Sequence, residues 1–299
     1  MLQVGGGVVS QCDVVIVNFD AGEFLKDAVQ SVLRSRAVAS LCVVDNASTD
    51  ASLAGLPLGQ DDRLTIIRNQ TNLGFATACN IGLMRATADY VLLLNPDCRV
   101  AEGAIERLIA ALRSTEGAGL AGPLLLNSDG SEQAAGRRKF PMPRTVLAHA
   151  FGAMWLKRRV LGHDAVRSED PQPKQPSEIE AISGACMMTS RTAIADVGLL
   201  DEHYFLHCED LDWCMRFHLR GWKILFVPEA AVVHHKGISS RRRPLAAEYY
   251  KHKGMVRFYQ KFLAAGHPRW LLMLVALSVW TRFLAVAVRR LLLGGSERH

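Results

Sequence analysis

Short apolar runs that stop on polar or turn-forming residues recur through the first 126 positions. Residues 13–18 (DVVIVN), 40–44, 64–68, 90–94 (YVLLL) and 119–126 are such runs. Aliphatic stretches of this length, bounded by turn residues, read as strands buried on both faces. The segments between them have helical spacing. Leu25, Val29, Val32 and Leu33 mark a helix over 24–34; Asn72-Leu73-Gly74-Phe75 opens one running to about Arg85; residues 101–113 form an amphipathic third. Strands alternating with helices predict βαβ units and a mostly parallel, Rossmann-like α/β sheet flanked by helices.

The texture changes after residue 126. Residues 130–144 are polar and basic, 146–156 apolar, and 162–177 carry Pro171, Pro173 and Pro176 among charges, a loop composition. Order returns with a strand-like segment over 179–190 that contains Ser183-Gly184-Ala185. A short helix over 191–197, an acidic cluster leading into a helix over 211–220, and a strand over 223–227 follow. This pattern predicts one α/β unit over 12–240, with halves at 12–126 and 127–240, and a helical extension over 241–299. Within that extension, 268–294 is strongly apolar but broken by Arg282. A spanning helix needs about 20 apolar residues, so an interfacial helix suits this stretch better, with a helix packed on the protein as the alternative.

Charge refines the picture. The 299 residues carry a net charge of +6, with runs at Arg137-Arg138-Lys139, Lys157-Arg158-Arg159, Arg241-Arg242-Arg243 and Arg289-Arg290. Taken singly, each run reads as a solvated face; together they favour a polyanion or an anionic membrane surface. Nucleic acid is not expected, because the runs are not interleaved with aromatics. Seven cysteines with no CxxC pair point to reduced, buried thiols. No secretory signal is expected, since the N-terminus has no basic region leading into a long apolar core. A cytoplasmic protein at the inner membrane face is the resulting expectation.

Four constellations carry candidate chemistry. Asp45 ends the second strand, where a carboxylate can bind a nucleoside; alternatively Asp45, Ser48 or Asp50 caps a following helix. Asn95-Pro96-Asp97 closes the YVLLL strand at the edge where open α/β sheets bind ligands, although Asp after Pro is also an ordinary turn residue. Glu209, Asp210 and Asp212 place three carboxylates within four residues, which suits a cation, a general base or a helix N-terminus. His234 and His235 end another apolar run, where a His is either structural or a metal ligand. Neither GxGxxG nor a P-loop follows the first strand, so dehydrogenase and NTPase chemistry has little support. A nucleotidyltransferase would carry a Gly-rich, basic loop at that place.

In order and spacing these segments resemble inverting family-2 glycosyltransferases of the GT-A fold, especially the bacterial rhamnosyltransferase branch. The matching stretches are VVIVNFDAGEFLKDAVQSVL, VVDNASTDAS, NLGFATACNIGLMRATADYVLLLNPDC, ISGACMMTSRTAIADVGLLDEHYFLHCEDLDWCMRFHLRGW and VPEAAVVHHKGISS. The resemblance implies that Asn18, Asp45 and Asn46 bind the nucleotide. It implies that Asn72, Gly74 and Phe75 shape its diphosphate side, with Asn95 where the family's metal motif has its first Asp. Asp97 and His234 would hold Mg2+ or Mn2+, Ser183-Gly184-Ala185 would wall the acceptor side, and Asp210 would be the general base, with Glu209 beside it. The donor implied is a dTDP- or UDP-sugar, dTDP-L-rhamnose foremost. The acceptor implied is a glycan or polyprenyl-diphosphate-linked glycan of cell-wall, O-antigen or exopolysaccharide assembly. A catalytically silent nucleotide-sugar-binding protein is the competing reading.

Overall fold

The computed structural model describes residues 10–141, 171–235 and 243–293. The apolar 146–156 segment, the 157–159 basic run, Arg241 and Arg242, and most of the first eleven residues and of the Pro-rich stretch lie outside them. In chain order the elements are β1 (Cys12–Asn18), α1 (Phe24–Leu33), β2 (Val38–Asp45), β3 (Leu64–Arg68), α2 (Phe75–Leu83), β4 (Tyr90–Leu94), β5 (Cys98–Val100), α3 (Ala104–Ser114) and β6 (Ala118–Leu126). After these come β7 (Arg137–Arg138), β8 (Ser177–Glu178), β9 (Ala181–Ile182), β10 (Cys186–Ser190), α4 (Arg191–Val197), α5 (Glu209–Leu219), β11 (Lys223–His234), α6 (Pro244–Phe262) and α7 (Arg269–Leu293).

One sheet runs β3-β2-β1-β4-β10-β6-β11-β5, with β8 paired to β11; β7 and β9 form a separate ribbon. Strands β3, β2, β1, β4, β6 and β11 point one way, while β10, β5 and β8 run against them. The expected mostly parallel α/β sheet is therefore present. Alternation along each strand builds two cores. Val14 and Ile16 of β1 and Leu92 and Leu94 of β4 face one, with Leu25, Val29 and Leu108 from α1 and α3. Val15, Val17, Val91 and Leu93 face the other, against Cys79 and Leu83 of α2, Trp213 and Phe217 of α5, Phe258 and Tyr259 of α6, and Val275 and Val279 of α7. All seven cysteines are buried and free.

Three elements depart from the sequence reading. The expected helix over 101–113 starts only at Ala104, because the residues before it form β5, which pairs antiparallel with the end of β11. The strand expected to stop at Val227 continues to His234 through a register shift between Val227 and Ala231. That irregularity accommodates Pro228, which has no N–H to give the ladder. The single strand-like stretch over 179–190 is two short strands, separated by Ser183-Gly184-Ala185.

Helix α2 lies close on β1 at Gly82, where an added Cβ would overlap Val15 Cγ1. Overpacking of a close-packed interior costs about 1–3 kcal/mol. Gly82→Ala is therefore expected to lower the unfolding free energy measured in urea by that amount; an unchanged value would mean that α2 does not seat this tightly.

Candidate active site

The carboxyl ends of β1, β2 and β4 meet at one edge of the sheet, because Asn18 pairs in register with Asp45 and Ile16 with Leu94. Both polar residues are buried there. The Asn18 amide donates to Asp45 Oδ1 (2.8 Å), Ser48 Oγ (2.9 Å) and Ser52 Oγ (2.8 Å). Residues 46–63 form turns and no helix, so the capping alternative for Asp45, Ser48 and Asp50 is not realised. Ser48 Oγ instead accepts from the Asp20 N–H, and Asp50 Oδ2 from the Gly22 N–H. These bonds fold the turn after β2 onto the turn after β1.

Asn46 carries this order to the next turn. Its amide donates to Asn72 Oδ1 (2.8 Å) and to the Gly74 carbonyl (3.2 Å), and its Oδ1 accepts from Asn69 and from the Leu73 N–H. Gly74 has a φ of +86°, and an added Cβ would meet the Phe205 carbonyl oxygen at 2.7 Å. The Phe75 N–H donates to that same oxygen at 2.7 Å. The 72–75 turn is thus locked to the segment that leads into α5. Glycine is required at residue 74 by the left-handed φ and by the close approach together.

The pairing of β5 with β11 sets His234 opposite Cys98 and brings Asp97 beside it, across 137 positions of sequence. Asp97 Oδ1 lies 3.3 Å from His234 Nε2 and has no hydrogen-bond partner, although it is buried. Gln133 explains the orientation of the ring. Its amide nitrogen donates to the His234 carbonyl (2.7 Å), so its Oε1 must face His234 Nδ1 at 2.9 Å. A carbonyl only accepts; Nδ1 therefore carries the proton and Nε2 offers a lone pair. An unpartnered carboxylate oxygen and an imidazole nitrogen facing one another could together hold a divalent cation. Cys98 Sγ also lies within 4.8 Å of these atoms. Burial holds it as a neutral thiol, which points at the Ala185 carbonyl (3.5 Å) and is a poor ligand for a hard cation. Asn95, half-buried, is placed by its N–H, which donates to the Ala185 carbonyl at 2.9 Å.

The three carboxylates at the start of α5 separate into three roles. Asp212 is fully buried and structural, held by Arg216 and Lys261, both at 2.7 Å. Glu209 is buried with Oε2 unpartnered; loss of water and the nearby negative charge of Asp210 push its carboxyl up to about 8. Asp210 alone keeps strong polar contacts on the Ser183–Ala185 side. Its Oδ2 accepts from the Gly184 N–H and from Arg138 Nη1, both at 2.9 Å, and its Oδ1 from the Leu211 N–H. Immediately before them His207 and Cys208 adopt φ of +68° and +70°, uncommon for residues with a Cβ. Desolvation lowers His207 to about 4, so its ring is neutral at pH 7.

Arg138 and Gln133 were not among the residues singled out as site candidates. Arg138 was visible only within a basic run that reads as a solvated face. The structure corrects that reading: Arg137 is buried against Glu132 (2.7 Å), and Arg138 reaches Asp210 and Ser183.

The family model described as "Glycosyl transferase family 2" matches residues 13–198. The chain belongs to this family. The match takes in Asn18, Asp45, the 72–75 turn, Asp97 and Ser183–Ala185, and stops before Asp210 and His234. The N-acetylglucosaminyl-diphospho-decaprenol L-rhamnosyltransferase of Mycobacterium tuberculosis is 31% identical over 272 residues, covering 86% of this chain and 85% of that protein. The dTDP-rhamnosyl transferase RfbF of Shigella flexneri is 25% identical over 201 residues, covering 66% and 60%. Among solved structures, a mannosyltransferase of Pyrobaculum calidifontis in complex with GDP-Man and Mn2+ superposes with a TM-score of 0.58 at 14% identity, covering 96% of this chain and 79% of that one. Residues 1–349 of S. aureus TarS give 0.57 at 13%, covering 92% and 72%. At these identities the structural likeness speaks for the fold, which is that of family-2 glycosyltransferases.

Glu209 makes the stability of this family-2 fold depend on pH. Between its ordinary value of 4.5 and about 8, the unfolded chain gives up a proton that the folded chain keeps. Stability therefore falls as pH rises through that window and levels off above it. Glu209→Gln is expected to remove this slope, so that its urea midpoint gains on the parent between pH 5 and about 8. Parallel pH profiles would contradict the assignment.

Proposed function

We propose that the protein transfers a sugar, L-rhamnose from dTDP-L-rhamnose foremost, to a hydroxyl of a lipid-linked glycan with inversion at the anomeric carbon. The relatives whose names specify rhamnosyl transfer and a diphospho-decaprenol acceptor support this reading of substrate. They also support a place in cell-wall or surface-polysaccharide synthesis. The observation that carries the reaction type is Asp210, the carboxylate of its cluster that is directed by Arg138 and the Gly184 N–H beside Ser183–Ala185.

Residues 12–126 then form the donor half and 127–240 the acceptor half. Asn18, Asp45 and Asn46 take the nucleoside; the 72–75 turn and Asn95 border its diphosphate. Asp97 and His234 would hold Mg2+ or Mn2+, whose positive charge would favour departure of the diphosphate. Asp210 removes the proton from an acceptor hydroxyl as that oxygen attacks the anomeric carbon. The bond from that carbon to the diphosphate oxygen breaks on the opposite face, and its electron pair leaves with the nucleoside diphosphate. A carboxylate has about four acceptor positions. Arg138, Gly184 and Leu211 occupy three on Asp210 and fix its direction, leaving one for the hydroxyl. Burial and the neighbouring charge of Asp210 push the Glu209 carboxyl up, which leaves Asp210, held by Arg138 and Gly184, as the better-placed base of the two.

Asp210→Asn is expected to lower kcat by at least about 10²-fold, the usual contribution of a general base, while calorimetric donor binding is unchanged. Near-full turnover would remove Asp210 from the chemistry. A panel of nucleotide sugars in the same calorimeter with Mn2+ tests the donor, and preference for a sugar other than dTDP-L-rhamnose would overturn that choice.

Gln133→Leu deprives His234 Nδ1–H of its acceptor and frees the ring to turn. Loss of such a partner typically weakens metal binding by about 10–100-fold, read as Mn2+ affinity in the presence of the nucleoside diphosphate. Equal Mn2+ affinity in Gln133→Leu and the parent would show that the ring needs no such support.

A further inference from the structure

Helix α7 is 25 residues long and carries four arginines and no acidic residue. One side of it is packed on the protein. Val275 and Val279 are buried in the core shared with α6, and the Phe283 ring lies against Tyr249 and His252. Arg290 reaches Glu248 at 3.5 Å. The opposite side is apolar and exposed: Trp270, Met273, Leu274, Leu277, Leu284, Val288, Leu291 and Leu292 are each 38–74% accessible. At 3.6 residues per turn these eight positions fall within an arc of about 100°, diametrically opposite Val275 and Val279. Arg269 lies about 40° outside one margin of that arc and Arg289 about 60° outside the other, while Arg282 lies near Val275 on the packed side.

We infer that α7 is an in-plane anchor that lays this stripe into the headgroup boundary of an anionic lipid bilayer. The helix passes a length and hydropathy test for a membrane span, but only 11% of its apolar window is buried in the protein. Its attachments to α6 run from Val275 to Arg290. Crossing the bilayer would draw Glu248, Lys251 and His252 of α6 into hydrocarbon beside it, where ionisable groups are costly. Lying flat costs nothing of that kind. It removes eight large side chains from water, and it sets arginines at the level of lipid phosphates, which fits a helix without a single acidic residue. Pairing with a second copy is less suited, because the positions flanking the stripe's centre carry no complementary charges to set a register.

The anchor is joined to the site. Helix α6 lies between α7 and the segment before Asp210: Tyr250 stacks on Phe205 at 4.4 Å, and Gly254 sits so close to the His207 carbonyl that an added Cβ would meet it at 2.8 Å. Trp280, at the edge of the stripe, lines a cleft of about 280 Å³ with Tyr204, Phe205, Tyr250, Lys253 and Arg257. A bilayer held by α7 therefore lies at a fixed distance from the catalytic loop. The inference deepens the reading of a lipid-linked acceptor, but vesicle binding is measured without donor or acceptor, so either can fail alone.

The test is sedimentation of the full chain with vesicles of phosphatidylcholine, with and without phosphatidylglycerol. The parent is expected to bind the anionic vesicles, more weakly at high salt, and to be released by alkaline carbonate. Leu277→Glu with Leu284→Glu is expected to weaken binding by at least about tenfold, and Arg269→Gln with Arg289→Gln by about fivefold per arginine on anionic vesicles only. Both double variants should keep the parent's circular dichroism and its rate of nucleotide-sugar hydrolysis. Four results would overturn the inference: no vesicle binding by the parent, binding unchanged in the leucine variant, resistance to carbonate as for a spanning helix, or a dimer that the leucine substitutions dissolve in the absence of lipid binding.

Discussion

The reversed strand β10 is the constraint on which the site depends. It enters between β4 and β6 and runs against both, so its first residue lies beside the last residue of β4. The three residues that precede it are thereby drawn to the edge where the parallel strands end. Ala185 accepts the Asn95 N–H there, and Gly184 gives its own N–H to Asp210. Without this return the donor edge and the acid cluster would belong to separate parts of the chain. The same geometry limits residue 184 to glycine, since an added Cβ would come within 3.0 Å of the Asp210 side chain. A main-chain donor on a strand end is also a better director of a carboxylate than a long side chain, because its position is fixed by the sheet.

The acid cluster shows how one stretch of sequence yields three electrostatic outcomes. Side chains around a single helical turn face different neighbours, and the neighbours decide. Asp212 turns inward to Arg216 and Lys261, and Lys261 also holds Asp201 with Arg257. These pairs hold Asp201 well below the usual carboxylate range. They also tie α6 to α5, so the cost of burying Asp212 is offset by a link that positions the whole acid segment. Glu209 faces the apolar packing near Cys79 and keeps its proton. Only Asp210 is left with directed donors and room for a further one.

Much of this was legible in sequence, and the boundary of legibility has a physical basis. Buried parallel strands are written as uninterrupted aliphatic runs, so β1 to β4 and β6 could be read nearly to the residue, as could α4. Asp45, Asp97 and Asp210 could be proposed because each follows a strand or opens a helix. What escaped detection was set by pairing at long range. Strand β5 is three residues long and exists only because β11 passes beside it. Gln133 touches His234 across 101 positions, and its type says nothing of that contact. Arg138 sits within a basic run, and nothing local distinguishes the arginine that turns in from the lysine after it. Helix α6 lies within the helical extension expected over 241–299, but its bounds and its packing on the acid segment could not be read, for it has no clear apolar stripe. Aromatic and charged residues are mixed around it, because α5, the 205–208 segment and α7 pack on different sides of it.

That distribution makes α6 more than a spacer. A helix gripped on several sides transmits displacement, since close-packed interiors yield little. Its contact with the segment before Asp210 falls at Gly254, directly against His207 and Cys208, both held at positive φ. Strained backbone of this kind persists only where surrounding structure over-determines it. Here the constraint comes from two directions: Phe205 is bound to the 72–75 turn on the donor side, and Cys208 abuts α6 on the other, its thiol directed to the Lys251 carbonyl. The loop that presents Asp210 is thus clamped between the donor turn and the helix pair that ends in the exposed stripe of α7. A force on α7 from a bilayer and a ligand against the 72–75 turn would act on the same four residues.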